Sequence, residues 1–407
     1  MKVLLVNHSD SLGGASVVTY RLMLALRDAG VDARMLVSRR STDNQYVEVA
    51  ASPRAVKAGF LAEALTNFAG CRSRANLFKV DSATFGLPLH RHPLVKQADV
   101  VILNWVNQGM LSLREIERID KPVIWTMHDL WCATGVCHHV EQCDSYKRSC
   151  GNCPLVTLPY SSDISHSTFR RKQRLYANKD ITFVAVSNWL AERCRESALL
   201  HNAHIETIPN AFPIEQFPLD ATLTRAQLGL PEGRKLIVMG AARLDAPIKG
   251  FDIAIDALNE FSNRVEAKDA IAVFYGEIRR PELLDSLRMP HIHLGTISDR
   301  TRLASLYAHA TAVISTSHYE TLPGTLIEGQ AAGCFPIAFD RGGQRDIITS
   351  PEVGWLAEYP SAQSIADGIS HAMATQIDRT ALRQNVITNF SAPAIAKRYI
   401  DLILEKV

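Results

Sequence analysis

No stretch of the chain approaches the ~18 consecutive apolar residues that a membrane-crossing helix needs. Charge of either sign is not in excess: 44 basic against 42 acidic residues leave a formal net charge of +2. A nucleic-acid partner usually requires a strong basic surplus, so none is expected. The opening apolar run is interrupted by Asn7-His8-Ser9-Asp10, which is too early for the core of a secretory signal. A Gly-x-Gly-x-x-Gly turn is missing, as is an acidic residue placed to grip an adenosine ribose, which argues against a nicotinamide dinucleotide. Asp-x-Asp does not occur either. What these absences leave is a cytoplasmic protein, whose eight cysteines are expected to be thiols or metal ligands rather than disulfides.

What is present is the alternation of an α/β protein. At 407 residues the chain is long for one domain and suits two of about 200. Lys2 to Asn7 reads as a central parallel strand, because such strands are buried on both faces and therefore continuously apolar. A turn at Gly13-Gly14 leads into a helix with Val18, Leu22, Ala25, Leu26 and Ala29 on one face and Gly30 to end it. Residues 33–38 supply the next strand, and further strands are expected at 99–104, 123–127, within 181–189 and within 204–210. Residues 41–97 say little beyond an exposed loop after Arg39 and a helical stretch from Phe60 to Phe68. The strand at 123–127 ends in His128-Asp129, at the carboxyl end where α/β sheets place ligands.

A second α/β pattern begins at Lys235. Its first strand exits through Arg243, and Lys249-Gly250 precedes a helix with Phe251, Ala254, Ile255 and Leu258 on one face. Two cations in those places can clamp a diphosphate and stabilise the charge that grows on a leaving group, the plainer alternative being surface ion pairs. An apolar run at 312–314 then gives way to a loop with Glu320, to Pro323-Gly324, and to a helical segment with Thr325 and Glu328. The free N–H groups that open such a helix, at Gly324 and Thr325, attract phosphate. Glu320 and Glu328 can accept hydrogen bonds from sugar hydroxyls, or simply be a solvated loop charge and a dipole partner.

Two clusters stand apart from this pattern. Five of the eight cysteines lie within residues 132–153, and Cys137, Cys143, Cys150 and Cys153 follow Cys-x5-Cys-x6-Cys-x2-Cys. That arrangement can wrap a thiolate tetrahedron around a structural zinc, with His138 or His139 able to replace one sulfur; reduced thiols packed in a loop are the alternative. Later, Arg170, Arg171, Lys172 and Arg174 make a basic stripe at the start of a helix. Such a stripe is either a solvated face or a contact for anionic head groups and lipid phosphates.

The stretch Glu320-x7-Glu328, followed by the small residues Ala331, Ala332 and Gly333 and a strand at Phe335, resembles the donor-site signature of family-four retaining glycosyltransferases. Gly13-Gly14, the strand-end His128, Arg243 with Lys249-Gly250, Gly342-Gly343 and Gly354-Trp355 fit the same pattern, weakly over 41–97 and strongly over 243–343. The cysteine-rich insert at 132–154 is similar to that of an exopolysaccharide subset of the colanic-acid type. Gly329 departs from the family, which usually has Ala there.

The resemblance implies a GT-B architecture, two Rossmann-like doubly wound domains facing a central cleft. Residues 1–210 would form the acceptor-side domain, 211–390 the nucleotide-sugar domain, and 391–407 a helix returning to the first. The implied reaction moves a hexose from a nucleoside diphosphate sugar to a glycan or lipid-linked acceptor. Arg243 and Lys249 would hold the diphosphate with the amides of Gly324 and Thr325, Glu328 the ribose, and Glu320 the sugar. His128 would position the sugar, and Gly13 and Gly14 would approach donor and acceptor. No cofactor is implied for catalysis, and basic side chains replace the Asp-x-Asp metal anchor of the other large glycosyltransferase fold. Through its basic stripe the enzyme would touch the cytoplasmic face of a membrane peripherally. A nucleotide-sugar epimerase on this fold would need a further acid/base carboxylate pair, which is not identifiable. A non-catalytic glycan-binding protein would have no reason to keep Arg243, Lys249, Glu320 and Glu328 together.

Overall fold

Each continuously apolar run becomes a strand covered on both faces, and the strands assemble into two parallel sheets. The computed structural model describes every residue except 73, 75, 158 and 159. The chain divides into one unit of Met1–Ala211 with Ile395–Val407 and a second of Phe212–Ala394.

In the first unit the order is β1 (Lys2–Ser9), α1 (Gly14–Asp28), β2 (Asp32–Arg39), β3 (Val47–Val49), α2 (Pro53–Cys71), α3 (Pro93–Gln97), β4 (Val100–Leu103), α4 (Leu113–Arg118), β5 (Val123–Met127), α5 (Ile164–Asn178), β6 (Ile181–Ala185), α6 (Asn188–Arg195) and β7 (Ile205–Thr207). The seven-stranded sheet runs β3-β2-β1-β4-β5-β6-β7, every pairing parallel. The chain winds outward in both directions from β1 and β4, so the strand order reverses there, the place in such sheets where ligands are usually held.

The second unit comprises α7 (Arg225–Leu228), β8 (Lys235–Arg243), α8 (Phe251–Phe261), β9 (Ala270–Glu277), β10 (His291–His293), α9 (Arg300–His309), β11 (Ala312–Ser315), α10 (Gly324–Ala331), β12 (Phe335–Phe339), β13 (Trp355–Ala357), α11 (Ala362–Ala374) and α12 (Arg379–Phe390). Its six strands run β10-β9-β8-β11-β12-β13, again all parallel. The reversal now falls between β8 and β11. The last helix, α13 (Ala392–Leu404), buries Ile395, Tyr399, Leu402 and Ile403, and the Tyr399 hydroxyl lies 2.9 Å from Thr126 Oγ1 on β5.

The expected face of α8 is buried as read: Phe251, Ala254, Ile255 and Leu258 all enter the core. The face of α1 is rotated. Ser16, Thr19 and Met23 are buried with Leu22, Ala25 and Leu26, whereas Val18 is only partly covered and Ala29 is exposed. Two hydroxyls can go inside because each donates to a main-chain carbonyl four residues earlier, Thr19 to Ala15 within the helix at 2.7 Å and Ser16 to Leu12 in the preceding turn at 2.7 Å. Strand β3 falls in the stretch where the sequence showed no strand, being only three residues long with Glu48 and Val49 exposed.

The departure at Gly329 has a packing cause. A β-carbon there would come 2.7 Å from Val313 Cγ1, so α10 lies against β11 more closely than an alanine allows.

The basic stripe on α5 does not form one surface. Lys172 is 0% exposed, and its ammonium donates to the carbonyls of Trp131 at 2.5 Å and Thr134 at 3.0 Å while sitting over the Trp131 ring. Arg171 is turned to the Ser82 carbonyl and to Thr84 Oγ1. Arg170 and Arg174 remain exposed. Successive residues on a helix point about 100° apart, so four near-adjacent cations cannot share a face, and the expected membrane stripe is corrected to two exposed arginines. Among the described residues no helix is long and apolar enough to cross a membrane.

Candidate active site

In the second unit, three loops leave the carboxyl ends of β8, β11 and β12 and are sewn to one another by backbone contacts. The first holds Gly250 at φ 58°, where a β-carbon would lie 2.3 Å from the Thr316 carbonyl oxygen. Glycine is therefore required for conformation and for space. Thr316 Oγ1 donates to the carbonyl of Gly250 at 2.8 Å, and the His318 N–H to that of Ile248 at 2.9 Å. The third loop joins by the Gly343 N–H, which donates to the Glu320 carbonyl at 3.0 Å. A β-carbon on Gly343 would fall 1.9 Å from the Thr321 carbonyl oxygen, so this Gly-Gly pair also serves close approach.

This stitching brings the sequence-predicted residues of this unit to one end of the sheet. Lys249 Nζ donates to Glu320 Oε1 at 2.5 Å, both side chains half-buried. Arg243, at the exit of β8, donates from Nε to Asp245 Oδ1 at 2.7 Å. Asp245 is buried and accepts two more N–H groups, from Arg279 and Arg280, each at 3.1 Å. The Arg243 hydrogen bond holds the Asp245 carboxyl below the usual carboxylate range. Asp245 was missed in the sequence; its position two residues past a strand-exit arginine was the available signal.

Helix α10 begins at Gly324 with Pro323 before it, and no side chain caps it. The amides of Gly324 and Thr325 thus open a helix whose first N–H groups have no side-chain cap, leaving its positive end bare. Glu328 is half-buried one turn in. Its charge adds to burial in raising the phenols of Tyr275 and Tyr307, whose hydroxyls lie 2.5 Å apart. Gln344, beside the Gly-Gly turn, is fully buried with neither amide atom partnered.

The first unit gathers a second group at its own β1/β4 reversal. Asn7 ties the strand ends together: its Oδ1 accepts the Trp105 N–H at 2.8 Å and its Nδ2 donates to the Ser9 carbonyl at 2.6 Å. Gly13 takes φ 87° before α1, and Gly14 has nothing within 4 Å of a built β-carbon, so the helix start is open. His128 Nε2 lies 3.0 Å from Asn104 Oδ1, and burial pushes its pKa down to about 4, so the ring is neutral at physiological pH. Asp129 Oδ2 lies 2.8 Å from His138 Nδ1. Burial opposes charge on both, yet each shift follows the partner: His138 is raised by Asp129 and Asp129 lowered by His138. This commits His138 Nδ1 to Asp129 and leaves Nε2 as the only nitrogen through which His138 could ligate a metal. Trp105 stacks over His138 at 5.7 Å and meets the edge of His8, whose Nδ1 is buried without a partner. Asn104, Asn7 and Trp105 gave no sequence signal beyond their places at strand ends.

Cys137, Cys143, Cys150 and Cys153 line one small cavity of about 20 Å³. All eight cysteines are free thiols, and burial pushes Cys137 up to about 12 and Cys150 up to about 11. Among the described residues no group of three or more His, Cys, Asp or Glu side chains stands in metal-holding geometry.

Residues 12–216 match the family model described as Glycosyltransferase Family 4, and residues 220–389 match Glycosyl transferases group 1. Over 90 residues the chain is 29% identical to WcaC of Escherichia coli (strain K12), a provisionally assigned colanic acid biosynthesis glycosyl transferase; the matched stretch is 21% of this chain and 22% of that protein. A glycosyltransferase from Rickettsia africae ESF-5 superposes with a TM-score of 0.65 at 18% identity, covering 99% of this chain and 98% of that one. HepE of Anabaena, solved in complex with UDP and glucose, superposes at 0.62 with 17% identity over 100% of both chains. At such identities the likeness establishes the fold, two Rossmann-like parallel-sheet domains of the GT-B class.

Proposed function

Because the chain belongs to glycosyltransferase family 4, we propose that it is a retaining hexosyltransferase of polysaccharide biosynthesis, acting in the cytoplasm on a nucleoside diphosphate sugar and a glycan or lipid-linked glycan acceptor. The observation that carries this reading is the Lys249–Glu320 contact at the β8/β11 reversal. It puts an anion-binding cation directly beside a hydroxyl-accepting carboxylate, as the two halves of a sugar phosphate require.

Arg243 and Lys249 take the diphosphate, with the amides of Gly324 and Thr325 completing an anion site at the start of α10. Charge grows on the diphosphate as its bond to the sugar breaks, and preset cations and amides stabilise that charge without reorganising. Glu328 accepts from the ribose hydroxyls and Glu320 from the sugar. His128, neutral and oriented by Asn104, offers a ring nitrogen to the sugar rather than a charge. The acceptor hydroxyl attacks from the face that the phosphate leaves, and its proton passes to the departing phosphate oxygen. The new glycosidic bond then keeps the anomeric configuration, and no protein nucleophile takes part. Gly13 and Gly14 leave the start of α1 open for donor and acceptor.

The test is a thermal-shift screen of nucleotide sugars, followed by transfer to candidate glycans and NMR of the product's anomeric centre. The expected result is stabilisation by one nucleotide sugar and a product of unchanged configuration. An inverted product overturns the retaining mechanism. Release of free sugar at the full rate without acceptor points instead to the epimerase-like reading.

A further inference from the structure

The loop after β5 is built in a way that the transfer reaction does not use. Four of its five cysteines come from three short segments that converge on one cavity, beside Val136, Val140 and Tyr146. Cys137 is fixed on one wall by an antiparallel bridge to Val80. Cys143 follows a turn in which its N–H donates to the Val140 carbonyl at 2.7 Å. Cys150 and Cys153 flank a tight turn in which Gly151 takes φ 145° and Asn152 φ 49°. A β-carbon on Gly151 would lie 2.5 Å from the Ser161 carbonyl oxygen, and the Cys153 N–H is held by Asp163 Oδ2 at 2.8 Å. The backbone that presents the sulfurs is therefore tightly specified, whereas a loop that merely packed thiols would not need to be.

Two further observations concern charge. A main-chain N–H is directed at one of the sulfurs: that of Gly135 reaches Cys150 Sγ at 3.2 Å. Such a donor stabilises a thiolate far more than a thiol. Burial pushes the Lys172 amine down to about 7; it makes its hydrogen bonds to carbonyl oxygens, and charge on the nearby thiols of Cys132, Cys137 and Cys150 would favour its protonated form. A buried cation is costly unless a negative charge offsets it, and four thiolates around a divalent ion carry a net charge of −2.

We propose that Cys137, Cys143, Cys150 and Cys153 close on a single zinc ion in a structural four-thiolate site. The four thiols do not stand in metal-holding geometry in the metal-free chain, so zinc would draw their side chains and the loop segments that carry them together. Zinc displaces four thiol protons to solvent, no oxidant or reductant is consumed, and no coordination position stays open for catalysis. His138 follows Cys137 directly and is bonded to Asp129, so the metal would also steady the residue next to His128.

Elemental analysis of the full chain, expressed with added zinc and purified without chelator, should find about one zinc per chain. Replacement by cobalt should give intense thiolate-to-metal absorption and the visible bands of a tetrahedral ion. Cys143→Ser should weaken zinc binding by ~10-fold or more, while Cys334→Ser, buried in the second unit, should keep the full metal content. Metal-free wild-type protein whose four thiols react in the native state overturns the proposal, as does bound iron in place of zinc. So does a Cys143→Ser variant with unaltered zinc affinity. Should that variant fail to fold, the wild-type zinc content and cobalt spectrum decide alone.

Discussion

Lys249 Nζ and Glu320 Oε1 stand 2.5 Å apart across 71 residues of sequence. Each holds the other in place, half-buried, between the loops that leave β8 and β11. Glu320→Gln keeps the shape and removes the charge. Turnover should fall by ~100-fold or more, as for loss of a group aimed at the reacting centre. A nucleoside diphosphate without sugar should bind about fivefold tighter at most, because Lys249 no longer shares its charge and half-exposed pairs are worth ~1 kcal/mol or less. Calorimetry with and without the sugar checks this; equal weakening of both would remove Glu320 from the sugar.

Arg243→Ala should lower turnover by about two orders of magnitude. It should also lower the melting temperature, since the buried Asp245 carboxylate loses its shortest hydrogen bond. Adding Asp245→Asn should restore much of the stability and none of the activity. A double variant that regained turnover would mean that Arg243 acts only through Asp245.

Two glycines should respond in opposite ways. Gly250→Ala forces a side chain into a left-handed backbone 2.3 Å from a carbonyl oxygen, costing about 1–3 kcal/mol in denaturant titration. Gly14→Ala meets nothing within 4 Å and should fold with unchanged or slightly raised stability. Its transfer rate should nonetheless drop if the opening of α1 is used by the ligands. Full activity in Gly14→Ala would exclude close approach there.

The Asp129–His138 pair sets a pH dependence. His138, raised above its ordinary value, contributes stability that is present below about 6.5 and lost as pH climbs through its folded pKa. Asp129, lowered, contributes stability that is present above about 3.8 and lost as pH falls through its folded pKa. Asp129→Asn should therefore destabilise the protein most between about pH 4 and 6.5, and progressively less above that range. His128 acts in the other direction: it resists protonation until about pH 4, so stability declines as pH drops from 6.5 toward that value. NMR titration of the imidazoles should show His138 titrating above its usual range and His128 unchanged between pH 5 and 7.

The sequence by itself determined the fold class and most of the candidate residues. Buried parallel strands must be continuously apolar, so β1, β4, β5, β8 and β11 announced themselves. Ligand chemistry in such sheets belongs at strand ends, which singled out His128, Arg243, Lys249, Glu320 and Glu328. Tertiary structure alone decided what these groups touch. Lys249 meets Glu320 because the strand order reverses at β8/β11, and His128 meets Asn104 because β5 lies beside β4, neither of which a local pattern encodes; Arg243 turns to Asp245 within a single loop. It also placed Lys172 inside the protein and Thr19 in the core, against their polarity. Periodicity reads a polar residue as outward-facing, whereas a hydrogen-bond partner supplied by the fold offsets the desolvation that polarity would otherwise cost.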